Sequence, residues 1–139
     1  MKKIIYLVLF IVLCVSLTGC NSKTYSYKDM TGFEISDIKR VTYSNGPLQS
    51  FRAEFQGDYN KYLDIKYKFI GNDEKQINKF EEVRDNFNFL FDVEVQNSSE
   101  IIYFYVYNNK IYFVNNNAGL YESVDSISLL NLKIEAEGK

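Results

Sequence analysis

The chain has 139 residues with one Pro, two Cys, no His and no Trp, and its formal net charge is −2. Without His, it has no Ser-His-Asp or Cys-His catalytic arrangement and no zinc site of the usual His-containing kind. Nucleic-acid phosphates are bound by basic side chains, so a mildly acidic chain of this kind predicts no nucleic-acid partner.

The N-terminus has a short basic start followed by an apolar run. Lys2 and Lys3 precede a stretch from Ile4 to Leu17 that contains no charged residue. Fourteen residues span about 21 Å as a helix, which is too short to cross a bilayer comfortably. This combination is typical of a secretory signal peptide.

The apolar run ends in Leu17-Thr18-Gly19-Cys20, which resembles the lipobox of bacterial lipoproteins. The resemblance implies a signal peptide over residues 1–19 and a mature protein that begins at a diacylated Cys20. Cys14 would leave with the signal peptide, so no intramolecular disulfide is expected. We therefore predict anchoring to the lipid bilayer through Cys20, on the extracytoplasmic face of the cell membrane. The alternatives are a secreted protein with an incidental Cys and an uncleaved anchor.

The mature chain of about 120 residues has the size of one domain. Loss of Lys2 and Lys3 leaves 14 Lys and Arg residues against 18 Asp and Glu residues, a net charge near −4. The stretch after Cys20 is polar, so we predict a flexible tether over residues 20–31. A single domain over residues 32–139 follows it.

Alternating apolar and polar residues predict an antiparallel meander in the first half of this domain. One or two short strands are expected over residues 33–43, and turn signals follow at residues 44–47 and 57–60. Further strands are expected over residues 50–56 and 62–70. A return to period two over residues 91–96 predicts another strand.

A change of period after Gly71 predicts the main helix, at about residues 73–88. Asp73 and Gln76 have capping-box spacing. Helical intervals then separate Ile77, Phe80, either Val83 or Arg84, and Phe87. They form one apolar stripe, which must lie on a face of the sheet.

The stretch from Ile101 to Val114 predicts a β-hairpin closed by Asn108-Asn109 in a type I′ turn. That register pairs Tyr107 with Lys110 and, further along, Tyr103 with Val114. One face of the hairpin is wholly apolar and should be core; its members are Ile102, Phe104, Val106, Ile111 and Phe113. Ser123 is expected to cap a short C-terminal helix that runs through Ile134, and a strand over residues 129–134 is the alternative. The expected fold is α+β, with about five to seven strands and one main helix.

The other face of the hairpin carries a row of phenols, Tyr103, Tyr105, Tyr107 and Tyr112, called here the tyrosine ladder. Such a row is a rigid amphipathic surface, suited to holding a protein, a peptide or a glycan. Tyr is also a favoured strand residue, so the alternative is a face covered by the C-terminal element or by the tether.

Carboxylates are the only plausible catalytic groups, and Glu94, Glu100 and Glu122 lie near the hairpin in sequence. Nothing in their spacing places two of them in one cleft. We therefore expect no catalytic residues, no metal site and no cofactor.

The lipobox, the meander, the single main helix and the Tyr-rich hairpin together resemble small uncharacterised lipoproteins of Gram-positive bacteria. Some lipoproteins of this size sequester a bacteriocin or block incoming phage DNA. The resemblance implies a non-enzymatic binding module, with an immunity or superinfection-exclusion lipoprotein as the alternative. A carboxylate-based hydrolase is the third hypothesis.

Overall fold

The computed structural model describes residues 23–49, 51–115 and 119–139. Within these ranges the chain forms one antiparallel sheet of eight strands, accompanied by short helices. The predicted α+β class is confirmed, and the strands outnumber the five to seven expected.

The strands are β1 (Thr24–Tyr25), β2 (Ile38–Ser44), β3 (Ala53–Glu54), β4 (Tyr67–Gly71), β5 (Phe89–Val95), β6 (Ile101–Tyr107), β7 (Lys110–Asn115) and β8 (Gly119–Ser123). The helices are α1 (Tyr27–Thr31), α2 (Asn60–Leu63), α3 (Glu74–Asn86) and α4 (Leu129–Ala136), with a 3₁₀ turn at Ile35–Asp37. Across the sheet the order is β1-β4-β8-β7-β6-β5-β2-β3, so β1 and β3 form the two edges.

The β6–β7 hairpin has the predicted turn. Asn108 and Asn109 adopt φ of 48° and 62°, as a type I′ turn requires. The predicted register holds from Tyr107 paired with Lys110 as far as Tyr105 paired with Tyr112, where the pairing ends. The predicted pair of Tyr103 with Val114 does not form, because beyond this point β6 follows β5 and β7 follows β8, and the two halves of the sheet diverge.

The wholly apolar face of the hairpin lies in the core, as predicted, and all five of its members are buried. The same face of β5 adds Phe89, Phe91 and Val93. Three helices contribute to this core cluster, through Tyr27 of α1, Leu63 of α2 and Leu132 of α4.

The prediction of a flexible tether over residues 20–31 is wrong from Thr24 onward, and residues 20–22 lie outside the described ranges. β1 pairs with β4, and α1 packs Tyr27 and Met30 into the core. Ser26 and Asp29 form a reciprocal capping box that starts α1. The segment is polar in composition, but Tyr27 and Met30 are three positions apart, which is a helical interval, and both are buried.

The main helix is confirmed, with bounds two residues or less from those expected. The Asp73 side chain accepts from the Gln76 N–H and caps α3. Val83 and Phe87 are buried, whereas Ile77 of the predicted stripe is largely exposed. α3 packs on the face of the sheet opposite the main core, against β6 and β8.

Three further expectations need correction. The strand expected over residues 50–56 reduces to β3, and the strand expected over residues 62–70 begins only at Tyr67 because α2 precedes it. The C-terminal element is a helix, as preferred, but Ser128 caps it through its Oγ, which accepts from the Asn131 N–H. Ser123 is instead buried, and its hydroxyl accepts from the Ile111 N–H and donates to the Asp125 carbonyl.

Candidate binding surface around Tyr103

Most of the tyrosine ladder lies beneath α3. Tyr112 is 4% exposed and belongs to a small core with Val83 and Leu120. The Tyr105 ring meets the rings of Phe80 and Phe87 edge-on, with centroids 5.6 Å apart in each pair. The expected open aromatic surface is therefore wrong for Tyr105 and Tyr112, which form the sheet side of a helix–sheet interface.

The element that covers the tyrosine ladder is α3, not the C-terminal element or the tether considered from the sequence. The apolar stripe lies on one side of α3, and the tyrosine rings lie on one face of the sheet. Each of these two apolar surfaces buries the other. Burial raises the pKa of the Tyr105 hydroxyl, and it also raises that of Tyr112, where the charge of Glu122 adds to the effect. The Tyr107 hydroxyl donates to Glu82 of α3 at 2.9 Å, and this bond raises its pKa.

Tyr103 is the member of the ladder that α3 leaves partly open, at 38% exposed. It borders a groove of about 600 Å³ that begins where β6 and β7 diverge, called here the β6–β7 fissure. Strand β6 lines the fissure with Ile101, Ile102 and Tyr103, and β7 lines it with Phe113 and Val114. The fissure thus reaches residues on both faces of the sheet.

Two helices close the fissure above and below. Phe80 of α3 lines it on one face of the sheet, and Met30 of α1 lines it on the other. Phe113, which also lines the fissure, stacks on the Phe104 ring with centroids 5.2 Å apart. Glu100, which is exposed, is the one charged side chain among the described lining residues.

Tyr103 also borders a second groove, of about 420 Å³, between the β2–β3 loop and the end of α3. Arg52 lies in this groove and forms an ion pair with Asp92. Asp92 is 4% exposed, and its Oδ1 has no hydrogen-bond partner among the described groups. Leu48 and Phe51 of the same loop are 98% and 74% exposed.

The three carboxylates singled out in the sequence do not form a catalytic pair. Glu94 and Glu100 line one shallow groove of about 480 Å³. Arg40 donates twice to Glu94, at 2.7 and 3.0 Å, and these bonds lower the Glu94 pKa. A general acid requires a raised pKa, so Glu94 is unsuited to that role. Glu122 lies elsewhere, 3.7 Å from the Lys68 ammonium.

Among the described residues, no group of three or more His, Cys, Asp or Glu side chains converges as metal ligands would. No helix in the described ranges is long and apolar enough to cross a membrane. Comparison with protein-family models, curated proteins and solved structures gives no match.

The proposed lipid-attachment residue, Cys20, lies outside the described ranges. Of the predicted binding residues, the structure keeps Tyr103 beside open grooves and places Tyr105, Tyr107 and Tyr112 against α3. Sequence reasoning missed the fissure, because strict alternation through the hairpin predicts an unbroken ladder of pairs.

Proposed function

We propose that this protein is a lipoprotein, held on the extracytoplasmic face of the cell membrane by acylated Cys20. Its folded domain binds a protein or peptide partner and catalyses no reaction. The lipobox supports the location. The β6–β7 fissure is the observation that carries the binding role. It is a groove within the sheet, lined by apolar side chains together with polar groups, and it lies where the pairing of β6 with β7 ends.

The chemistry of the fissure favours binding over catalysis. Its described lining is aliphatic and aromatic, apart from Glu100, Thr31, Asn115 and the phenol groups. One isolated carboxylate supplies neither a pair of acid and base groups nor an activated nucleophile. Apolar walls with a few polar groups are the usual lining of a ligand groove.

Two measurements test the location. Intact-mass analysis of the processed protein should find a diacylglyceryl group on Cys20 as the first residue. A Cys20→Ser variant should lose that modification and leave the washed membrane fraction. An unmodified N-terminus at another position, or equal retention of the variant by membranes, contradicts the proposal.

An immunity or superinfection-exclusion role is the second candidate, because Thr24 is already paired in the sheet four residues after Cys20. Under the proposed anchoring, the domain lies close to the membrane, where bacteriocins and phage DNA arrive. Deletion of the protein should change sensitivity to one peptide or phage, and an unchanged panel would count against this role.

A further inference from the structure

We propose that the β6–β7 fissure binds an extended apolar peptide, which adds as a strand to the free edge of β6 and places a basic residue near Glu100. The inference deepens the proposed binding function by naming the class of partner. It does not depend on the attachment of lipid to Cys20.

The free edge follows from the register of the hairpin. In an antiparallel ladder the main-chain groups of successive residues point to opposite sides, and in this register those of Tyr105 and Tyr107 point toward β7. The N–H and C=O of Ile101 and Tyr103 therefore point the same way, into the fissure. The ladder ends before them, so none of the described strands pairs with this part of β6 on that side.

A strand edge inside a groove favours one kind of ligand. Main-chain N–H and C=O groups require hydrogen-bond partners, and an extended peptide supplies both in the matching spacing. Ile101 and Tyr103 are each partly exposed, so the edge is open to an incoming chain. At about 3.3 Å per residue, the segment from Ile101 to Phe104 offers room for three or four peptide residues.

The walls of the fissure set the side chains that such a peptide needs. Alternate residues of an added strand would face Phe80 and Tyr105 on one side of the sheet, and Met30 and Phe113 on the other. A strand covered on both faces is apolar throughout rather than alternating. The peptide should therefore be rich in Val, Ile or Phe on both of its faces.

Charge complementarity favours a peptide with a cationic end and disfavours lipid headgroups as the ligand. Glu100 is the one charged group among the described lining residues, and no described Lys or Arg lines the fissure. An anionic phosphate would meet a like charge there, whereas a Lys or Arg side chain would meet an opposite one.

The first experiment uses the processed, full-length lipoprotein in detergent micelles. The probes are two labelled hexapeptides of alternating Val and Phe, with Lys at the first or the last position, and their Glu counterparts. At least one Lys peptide should bind above a micelle-only control, and its Glu counterpart should bind about tenfold more weakly. Equal binding of Lys and Glu peptides, or no binding above the control, overturns the proposal.

Main-chain pairing is tested in the bound peptide by N-methylation of alternate residues, which removes their N–H groups. Two complementary sets of methylated peptides are compared with the unmethylated one. Methylation of the set that faces β6 should weaken binding about tenfold or more. Unchanged binding of both sets shows that no strand is added and overturns the proposal. This test is independent of any change in the protein.

A matched pair of protein variants tests the edge itself. Tyr103→Pro removes an N–H that points into the fissure and leaves the β5 side of the strand unchanged, whereas Tyr103→Val keeps that N–H. Tyr103→Pro should bind the Lys peptide about tenfold more weakly than Tyr103→Val, with both variants showing wild-type circular dichroism. Equal binding by the two folded variants overturns the proposal. If Tyr103→Pro does not fold, the experiment with methylated peptides tests main-chain pairing on the wild-type protein.

Discussion

Asp92 is a carboxylate almost removed from solvent, and among the described residues Arg52 is the cation that pairs with it. Its side chain is 5% exposed, whereas that of its partner Arg52 is 49% exposed. Asp92 is paired in register with Thr42 on one side and with Tyr103 on the other. A buried charge is costly unless it is paired, so Arg52 is expected to matter more than an ordinary surface residue.

We expect Arg52→Leu to lower the free energy of unfolding by about 1–3 kcal/mol, because Asp92 keeps its burial and loses its partner. The double variant with Asp92→Asn should recover most of that loss. Urea unfolding of the single and double variants measures both values. Arg52→Leu with wild-type stability, or a double variant less stable than Arg52→Leu, would show that the pair contributes little.

Burial of tyrosine hydroxyls makes stability sensitive to alkaline pH. Burial is the main cause that raises the pKa of Tyr27 to about 12, above its ordinary value of 10.0. Below pH 10 the hydroxyl is protonated in both the folded and the unfolded state, so its full contribution is present. As pH rises through the folded-state pKa, that contribution is lost, because the unfolded state releases its proton first.

The resulting loss for Tyr27 is about 3 kcal/mol between pH 10 and pH 12. Burial also raises the pKa of Tyr67 and Tyr112, so ionisation should coincide with unfolding. Stability measured against pH, together with tyrosinate absorbance, tests this. Tyr27→Phe should flatten the slope. Gradual ionisation of all tyrosines near pH 10 in a protein that stays folded would contradict the prediction.

At the scale of elements, α3 is the cover of the tyrosine ladder, and Asp73 fixes its start. We expect Asp73→Ala to lower the free energy of unfolding by about 1 kcal/mol, because the Gln76 N–H loses its side-chain acceptor. Amide hydrogen exchange should then accelerate in α3. Glu81→Ala, at an exposed position of the same helix, is the matched control and should stay within about 0.5 kcal/mol of wild type. Equal effects of the two variants would show that the cap is not significant.

Elements with a strong local signal could be predicted from the sequence. The capping pair at Asp73 and the turn at Asn108-Asn109 both have their cause within a few residues, and both are confirmed. α1 was missed because its cap sits in a polar stretch, where Tyr27 and Met30 did not stand out. α2 was missed because Leu63 fits a strand pattern as well as it fits a single helical turn.

At the scale of the whole molecule, what could not be predicted is how surfaces meet. The α3 stripe and the tyrosine ladder were each recognised as amphipathic, but no local pattern states that one covers the other. The fissure could not be predicted for the same reason. β6 follows β5 and β7 follows β8, and the point where the two halves part is set by pairing between distant segments.

The early start of the fold at Thr24, paired with β4, would limit where a lipid-anchored form of the protein can act. Four Cα steps separate Cys20 from Thr24, so under the proposed acylation the sheet begins within about 14 Å of the lipid-bearing residue. With so short a connection, a domain acylated at Cys20 would not extend across a cell wall into the medium. Its diffusion would be confined to the plane of the membrane, and its partners would be those that touch or emerge from the same bilayer.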